Sequence, residues 1–237
     1  MTTTSRFNNS LGKEYHLFQK AIPNHDELQK TIGKIVKKYL VKNNLSTATV
    51  FEGGVGTGIT TAVLLKENPR SIVVGVDNEP KMLRFAKKSL PLYQDRLFLH
   101  QDDLLSYLQK QPASTFDVFV SVWVIHNLSP QYRKKLFKEL HRTLKPGGLF
   151  INGDKYARDG KREHSDDLEK QIKLFDIFTT IDRPDLKIAW TKHYLEDDKI
   201  KITEAEQKNI LKKLGFVNVR INYRKGMEAI FTAVKME

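Results

Sequence analysis

The stretch Val50-Phe51-Glu52-Gly53-Gly54-Val55-Gly56-Thr57-Gly58 restricts the fold more than any other part of the chain. Thr49, Val50 and Phe51 are β-branched or aromatic, which suits a pleated, buried surface. Alternating glycines follow, and Ile59 to Lys66 then reads as a helix. Strand, glycine turn and helix make a nucleotide-binding βα unit. Without a Cβ, such a turn accepts positive φ and lets a ligand lie against the backbone. The helix start then offers unpaired N–H groups to polar ligand atoms. Gly54, Gly56 and Gly58 follow G-x-G-x-G, whereas the dinucleotide fingerprint is G-x-G-x-x-G. No lysine follows them, so a P-loop is excluded.

Glu52 stands two residues before Gly54, and the resulting E-x-G-x-G-x-G pattern resembles motif I of the class I S-adenosylmethionine-dependent methyltransferases. That resemblance implies a Rossmann-like α/β fold. Its seven-stranded sheet is mostly parallel with an antiparallel last strand, and it carries helices on both faces and an N-terminal helical cap. It implies S-adenosylmethionine as cofactor, with Glu52, Asp77 and Asp102 as acids around its cationic group, and S-adenosylhomocysteine as product.

Ser71 to Asp77 is a continuous apolar run ending in an acid, as expected of a parallel strand buried on both faces. An acid there reaches the ribose hydroxyls of a bound nucleotide, which makes Asp77 the strongest single assignment. Asn78 is expected at the cofactor and as the cap of the next helix, from Glu79 to Ser89, with Pro80 in its first turn. Met82 either flanks the adenine or belongs to the core. Leu97 to His100 forms a third strand, ending at Gln101-Asp102-Asp103-Leu104. In the resembled family an acid here lies beside the adenine. Asp102 could accept from its amino group and Leu104 offers an amide, while Asp102 or Asp103 could instead cap the helix from Leu104 to Gln109.

Phe116 to Ser121 is the fourth strand, followed by Val122-Trp123-Val124-Ile125-His126-Asn127-Leu128. In an open α/β sheet ligands sit beyond the carboxyl ends of the strands, so Ser121 to Asn127 forms the rim of the site. Ser121 and Val122 are expected at the cofactor, and Trp123 and Asn127 at the substrate. The stretch resembles motif IV of small-molecule methyltransferases and lacks the N/D-P-P-Y/F signature of amino-nitrogen and adenine methylases. His126 is either a general base or an orienting histidine. Leu144-Lys145-Pro146-Gly147-Gly148 repeats a turn of the resembled family before the fifth strand, Leu149 to Gly153. The family motifs thus occur in order over residues 48 to 153.

Composition narrows the setting. The chain has 237 residues, 40% of them hydrophobic and 10% aromatic, enough for a sizeable core. It has no cysteine, which excludes disulfides and thiolate metal sites, and no metal site is expected. No apolar run reaches membrane-spanning length, and the first residues lack the apolar core of a signal peptide. A soluble, cytoplasmic protein is expected. The net charge of +12 allows nucleic acid as a partner, but the lysines are spread over several helix faces.

The whole chain reads as one domain in four parts. Residues 1–45 form a helical cap in which Tyr15 either lines the cleft or joins the core. Asp26 is expected to cap the helix that begins at His25-Asp26. Residues 46–153 form the cofactor-binding half, residues 154–202 a helical insertion, and residues 203–237 a final helix and hairpin. The helix opens with the capping box Thr203-Glu204-Ala205-Glu206. Substrate selection is assigned to the insertion side, through Lys155, Tyr156, Trp190 and Lys192. His193 is a second candidate base. The aromatic residues there serve equally well as a small core.

The most concrete expectation is methyl transfer to a small-molecule acceptor. Ala21-Ile22-Pro23, Val76 to Met82 and Leu195 to Phe216 also look similar to the carboxy-S-adenosylmethionine synthases of the tRNA wobble-uridine pathway. In that family an arginine of the insertion holds the cofactor's carboxylate. Lys192 stands there by alignment, which keeps the charge but loses the bidentate fork. Carboxyl transfer to the cofactor is therefore the alternative, together with a non-catalytic cofactor- or RNA-binding module.

Overall fold

The apolar runs all become strands of one sheet. They are β1 (Thr49–Gly53), β2 (Ile72–Asp77), β3 (Leu97–Gln101), β4 (Phe116–Val122), β5 (Leu144–Lys155), β6 (Phe216–Lys225) and β7 (Glu228–Lys235). The computed structural model describes residues 15–236, and its 7-stranded sheet has the order β3-β2-β1-β4-β5-β7-β6. β1 to β5 are parallel, and β7 lies antiparallel between β5 and β6. The order reverses between β1 and β4, and this reversal opens a crevice at their carboxyl ends.

Alternation along the strands sorts two apolar layers. Val50, Val118, Val120 and Ile151 pack with Leu28, Ile32 and Val36 of α2 (His25–Lys42) and with Leu64 and Leu65 of α3 (Ile59–Glu67), behind the short α1 (Tyr15–Phe18). On the other face Phe51, Phe119 and Phe150 sit in register on neighbouring strands, with ring centroids 5.7 and 5.4 Å apart. This aromatic row meets Leu108 of α5 (Leu104–Gln109) and Phe137 of α6 (Pro130–Thr143). α4 (Pro80–Ser89) flanks β2 and β3.

The insertion holds three helices, α7 (Lys161–Leu174), α8 (Ile177–Thr180) and α9 (Pro184–Asp198). Their aromatic residues are core. Trp190 stacks on Phe18 at 3.8 Å between ring centroids, and Phe175, Phe178 and Tyr194 are fully buried around them. α10 (Glu204–Lys213) opens with the expected capping box between Thr203 and Glu206.

Three boundaries differ from the sequence expectations. Asn24, not Asp26, occupies the cap position of α2, and Asp26 instead faces the ring of His25 at 3.0 Å. α4 begins at Pro80 and is capped by Glu79, whose carboxylate accepts the Lys81 amide, so Asn78 is released from that task. The Lys145-Pro146-Gly147-Gly148 turn lies inside β5, because Leu144 already pairs with Phe116 and the ladder resumes at Leu149 opposite Val118.

The aromatic row gives a direct test of the core. Phe119→Ala should cost about 3–5 kcal/mol in denaturant unfolding, the usual loss for a buried phenyl. A loss under about 1 kcal/mol would show that the row collapses around the gap.

Candidate active site

A cavity of about 380 Å³ opens where β1, β2 and β4 end. The glycine turn forms its floor. Gly54 has φ +78°, and a Cβ there would come within 2.2 Å of Val124. Gly56 has φ +55°, and a Cβ there would meet nothing within 4 Å, so this backbone is left bare for a ligand. Gly58 caps α3 in the left-handed conformation and packs against α4, just off the cavity wall.

Asp77 holds the turn in place. Its Oδ2 accepts the Gly56 amide at 2.8 Å and its Oδ1 accepts the Glu79 amide at 2.9 Å. Burial raises its pKa, and these amides only partly oppose that. The carboxylate still has lone-pair sites for hydroxyl donors at the cavity. Glu52 lies behind the turn and off the cavity. It is 1% exposed and accepts from Thr61 Oγ1 at 2.6 Å. Its Oε1 has no partner, and burial pushes its carboxyl up to about 8.

Asn78, Met82, Asp103, Leu104 and Val122 line the cavity, as the bare Gly56 does. Asp103 also caps α5 through the Ser106 amide at 3.0 Å and accepts from the Tyr132 hydroxyl at 2.7 Å. Asp102 turns away to Lys110, 2.7 Å distant, so the acid on the wall is Asp103. Ser121 is fully buried within β4, with its hydroxyl unpartnered and off the cavity.

The opposite wall is built from Trp123, Asn127 and two residues that sequence reasoning missed. Trp123 has φ +53°, an unfavourable conformation for so large a residue. Its ring stacks on His25 at 5.0 Å, and both rings line the cavity with Gln29. Trp123 Nε1, Gln29 Oε1 and Asn127 Oδ1 are buried without hydrogen-bond partners. A signal for the missed pair did exist. His25 and Gln29 are polar residues on the buried stripe of α2 that continues through Ile32 and Val36.

The remaining candidates stand off the cavity. His126 and His193 are buried behind the wall in a polar cluster with Asp154, Lys155 and Asp197. Tyr156 is buried against Phe231 and accepts from Asn152 at 2.7 Å. Trp190 belongs to the cap core. Lys192 is exposed on α9. Tyr15 opens α1, and its side chain lies outside the described residues. Among the described residues no helix is long and apolar enough to cross a membrane.

The donor set fits a nucleoside-bearing cofactor, with a carboxylate at the end of β2, a backbone without Cβ at Gly56, and an apolar slot between Met82 and Leu104. Residues 50–148 match the family model described as a methyltransferase domain. The carboxy-S-adenosyl-L-methionine synthase of Sulfurimonas denitrificans is 25% identical over 226 residues, covering 92% of this chain and 89% of its own length. That of Nitratiruptor sp. is 26% identical over 204 residues, covering 85% and 82%. Among solved structures, a putative S-adenosyl-L-methionine-dependent methyltransferase of Methanococcus maripaludis has a TM-score of 0.64 at 15% identity, covering 100% of this chain and 97% of that one. The CurJ carbon methyltransferase has a TM-score of 0.65 at 18% identity over 88% of this chain, which spans 54% of that longer protein.

Two measurements probe the floor. Asp77→Ala should weaken S-adenosylmethionine binding by about 10–100-fold, from a charge-assisted contact of about 1.5–3 kcal/mol. Unchanged calorimetric affinity would remove Asp77 from the cofactor site. Glu52 is protonated in the folded chain between about pH 4.5 and 8, where the unfolded chain has lost that proton. Stability should therefore fall as pH rises through this window and level off above it. Glu52→Gln should flatten that part of the Tm profile, and an equally steep profile would mean that Glu52 is not the group responsible.

Proposed function

We propose that this class I S-adenosylmethionine-dependent methyltransferase delivers a methyl group to a small-molecule acceptor held against His25, Gln29, Trp123 and Asn127. The observation that carries this reading is the set of three buried, unpartnered polar atoms on that wall. Buried polar groups without partners are costly, so a surface of this kind suits a ligand that completes it. When bound, S-adenosylmethionine supplies an electrophilic sulfonium methyl, and the S–C electron pair stays on sulfur as S-adenosylhomocysteine leaves.

The chain's own residues bind and orient. Asp77 is positioned for the ribose hydroxyls, and Asp103, Leu104 and Met82 for the base. Gln29 Oε1 and Asn127 Oδ1 accept from donor groups of the acceptor, and Trp123 Nε1 donates to it. Holding two reactants in line contributes roughly 7–11 kcal/mol to such a transfer. Where the acceptor must lose a proton, His25 is the imidazole on the wall, with Nδ1 at 3.0 Å from the Asp26 carboxylate. His126 and His193 do not line the cavity.

A second reading is carboxyl transfer to the cofactor. It is favoured by the carboxy-S-adenosyl-L-methionine synthases, two of which align along 92% of the chain. The exposed position of Lys192 speaks against it, since among the described residues no lysine or arginine lines the cavity.

Native mass spectrometry of the freshly purified chain, with the released ligand identified, separates the two. S-adenosylmethionine or S-adenosylhomocysteine supports methyl transfer, and the carboxylated cofactor promotes the second reading. An empty chain with no thermal shift on adding S-adenosylmethionine would sink both. With an acceptor in hand, His25→Phe keeps the stack on Trp123. It should lower kcat by about 10²-fold if His25 takes a proton, and an unchanged kcat means the acceptor needs no base.

A further inference from the structure

Behind Asn127 and Ile200 of the cavity wall lies a second polar centre that the proposed reaction does not use. Its members come from the 3-10 turn Ile125–Asn127, the end of β5 and one face of α9, where His193 and Asp197 are four residues apart. All are at least nine-tenths buried.

Asp154 orients the ring of His126. One of its oxygens faces His126 Nδ1, and the other accepts the His126 amide at 3.1 Å and Asn152 at 3.2 Å. A carboxylate at Nδ1 makes that nitrogen the protonated one and leaves a lone pair on Nε2. Nε2 looks at Asp197 Oδ2, 3.6 Å away, and His193 Nε2 lies 3.2 Å from the same oxygen. One ligand atom from each of the three residues falls within 4.8 Å of the others.

The two imidazole–carboxylate separations are close to the edge of a tetrahedron, roughly 3.3 Å for ligands at about 2.0–2.1 Å from zinc. We propose that His126 Nε2, His193 Nε2 and Asp197 form a site for a divalent transition-metal ion of the zinc type. Two imidazoles and one carboxylate select such an ion over the hard, oxygen-bound magnesium and calcium. The carboxylate behind His126 is the outer partner that metal-bound histidines commonly use to fix their tautomer. Asp154 and Asp197 place two buried carboxylates beside the imidazoles, with the ammonium of Lys155 against Asp197.

Lys155 competes with the metal. Its ammonium pairs with Asp197 and lies 3.6 Å above the centre of the Tyr194 ring. In the metal-free chain it stands in for the ion. The metal joins the turn bearing Asn127 to the helix leading to Ile200, two elements of the acceptor wall. His126 and His193 thereby acquire a role other than that of a base.

The test is a cobalt(II) titration of the full, tag-free chain, read by visible absorption, metal content after gel filtration, and Tm. One ion per chain with the intense bands of tetrahedral cobalt, displaced by zinc, and a raised Tm are expected. His193→Ala and Asp197→Asn should abolish the bands. His193→Gln serves if the alanine variant fails to fold. Asp154→Asn should weaken binding by about 10–100-fold, and Lys155→Met should tighten it. His164→Ala removes a ring that pairs with Asp198 on the other side of α9 and should leave binding unchanged. The proposal is overturned by a chain that retains no stoichiometric metal, by bands that survive His193→Gln, or by bands lost in His164→Ala.

Discussion

The carboxylate of Asp77 is the contact on which the site depends. It leaves the end of β2 and accepts the amide of Gly56 across the crevice, so the turn after β1 is tied to the neighbouring strand. The amide of Gly54 donates to the carbonyl of Val76 at 2.8 Å, one residue before Asp77. The glycine turn is therefore held along two adjacent residues of β2. The order of the strands makes this possible, because β2 and β4 flank β1 and leave its carboxyl end open above the sheet. A turn tied in this way loses little freedom when a ligand arrives, which is the physical content of preorganisation.

The wall opposite is made differently. Trp123 holds a left-handed backbone while its amide is fixed to the carbonyl of Gly153 at 2.9 Å, and its ring lies against His25. The cost of that conformation, about 1–3 kcal/mol, is met by surrounding packing and directs a large amphipathic side chain into the cavity. Arg133 holds Ile200 on the same wall by donating to its carbonyl at 2.5 Å. Beyond the lining residues His25, Gln29 and Ile200, the cap and the insertion contribute rigidity. Their aromatic residues pack on one another around Phe18, Phe175 and Trp190, which fixes α2 and thereby His25 and Gln29 over the crevice.

Much of the fold was legible in the sequence, since apolar runs and turn residues encode strands and their ends locally. The runs ending at Gly53, Asp77 and Ser121 place the crevice, and the Thr203 capping box places the start of the last helix. On the floor of the site, Gly54, Gly56 and Asp77 were placed by spacing, because a βα turn brings residues together that are close in sequence, whereas Asn78 was placed as a helix cap, a role that Glu79 takes instead. The choice between Asp102 and Asp103 did not. Both follow β3 directly, and only the presence of Lys110 on one side and Tyr132 on the other turned them apart.

The sequence by itself determined the sheet, the glycine turn and the acid at the end of β2, since each follows from local patterning over fewer than about 30 residues, the length of a βαβ unit. Tertiary structure alone decided that His25 and Gln29 join Trp123 and Asn127 on the opposite wall, and it alone assembled the polar centre behind it. His25 reaches Trp123 across 98 positions and His126 meets Asp197 across 71, distances over which no periodicity carries information. It also decided that Trp190 is core and that Lys192 faces solvent, because neighbours on one helix are separated by which side packs against the cap, and that depends on a surface built from a different part of the chain.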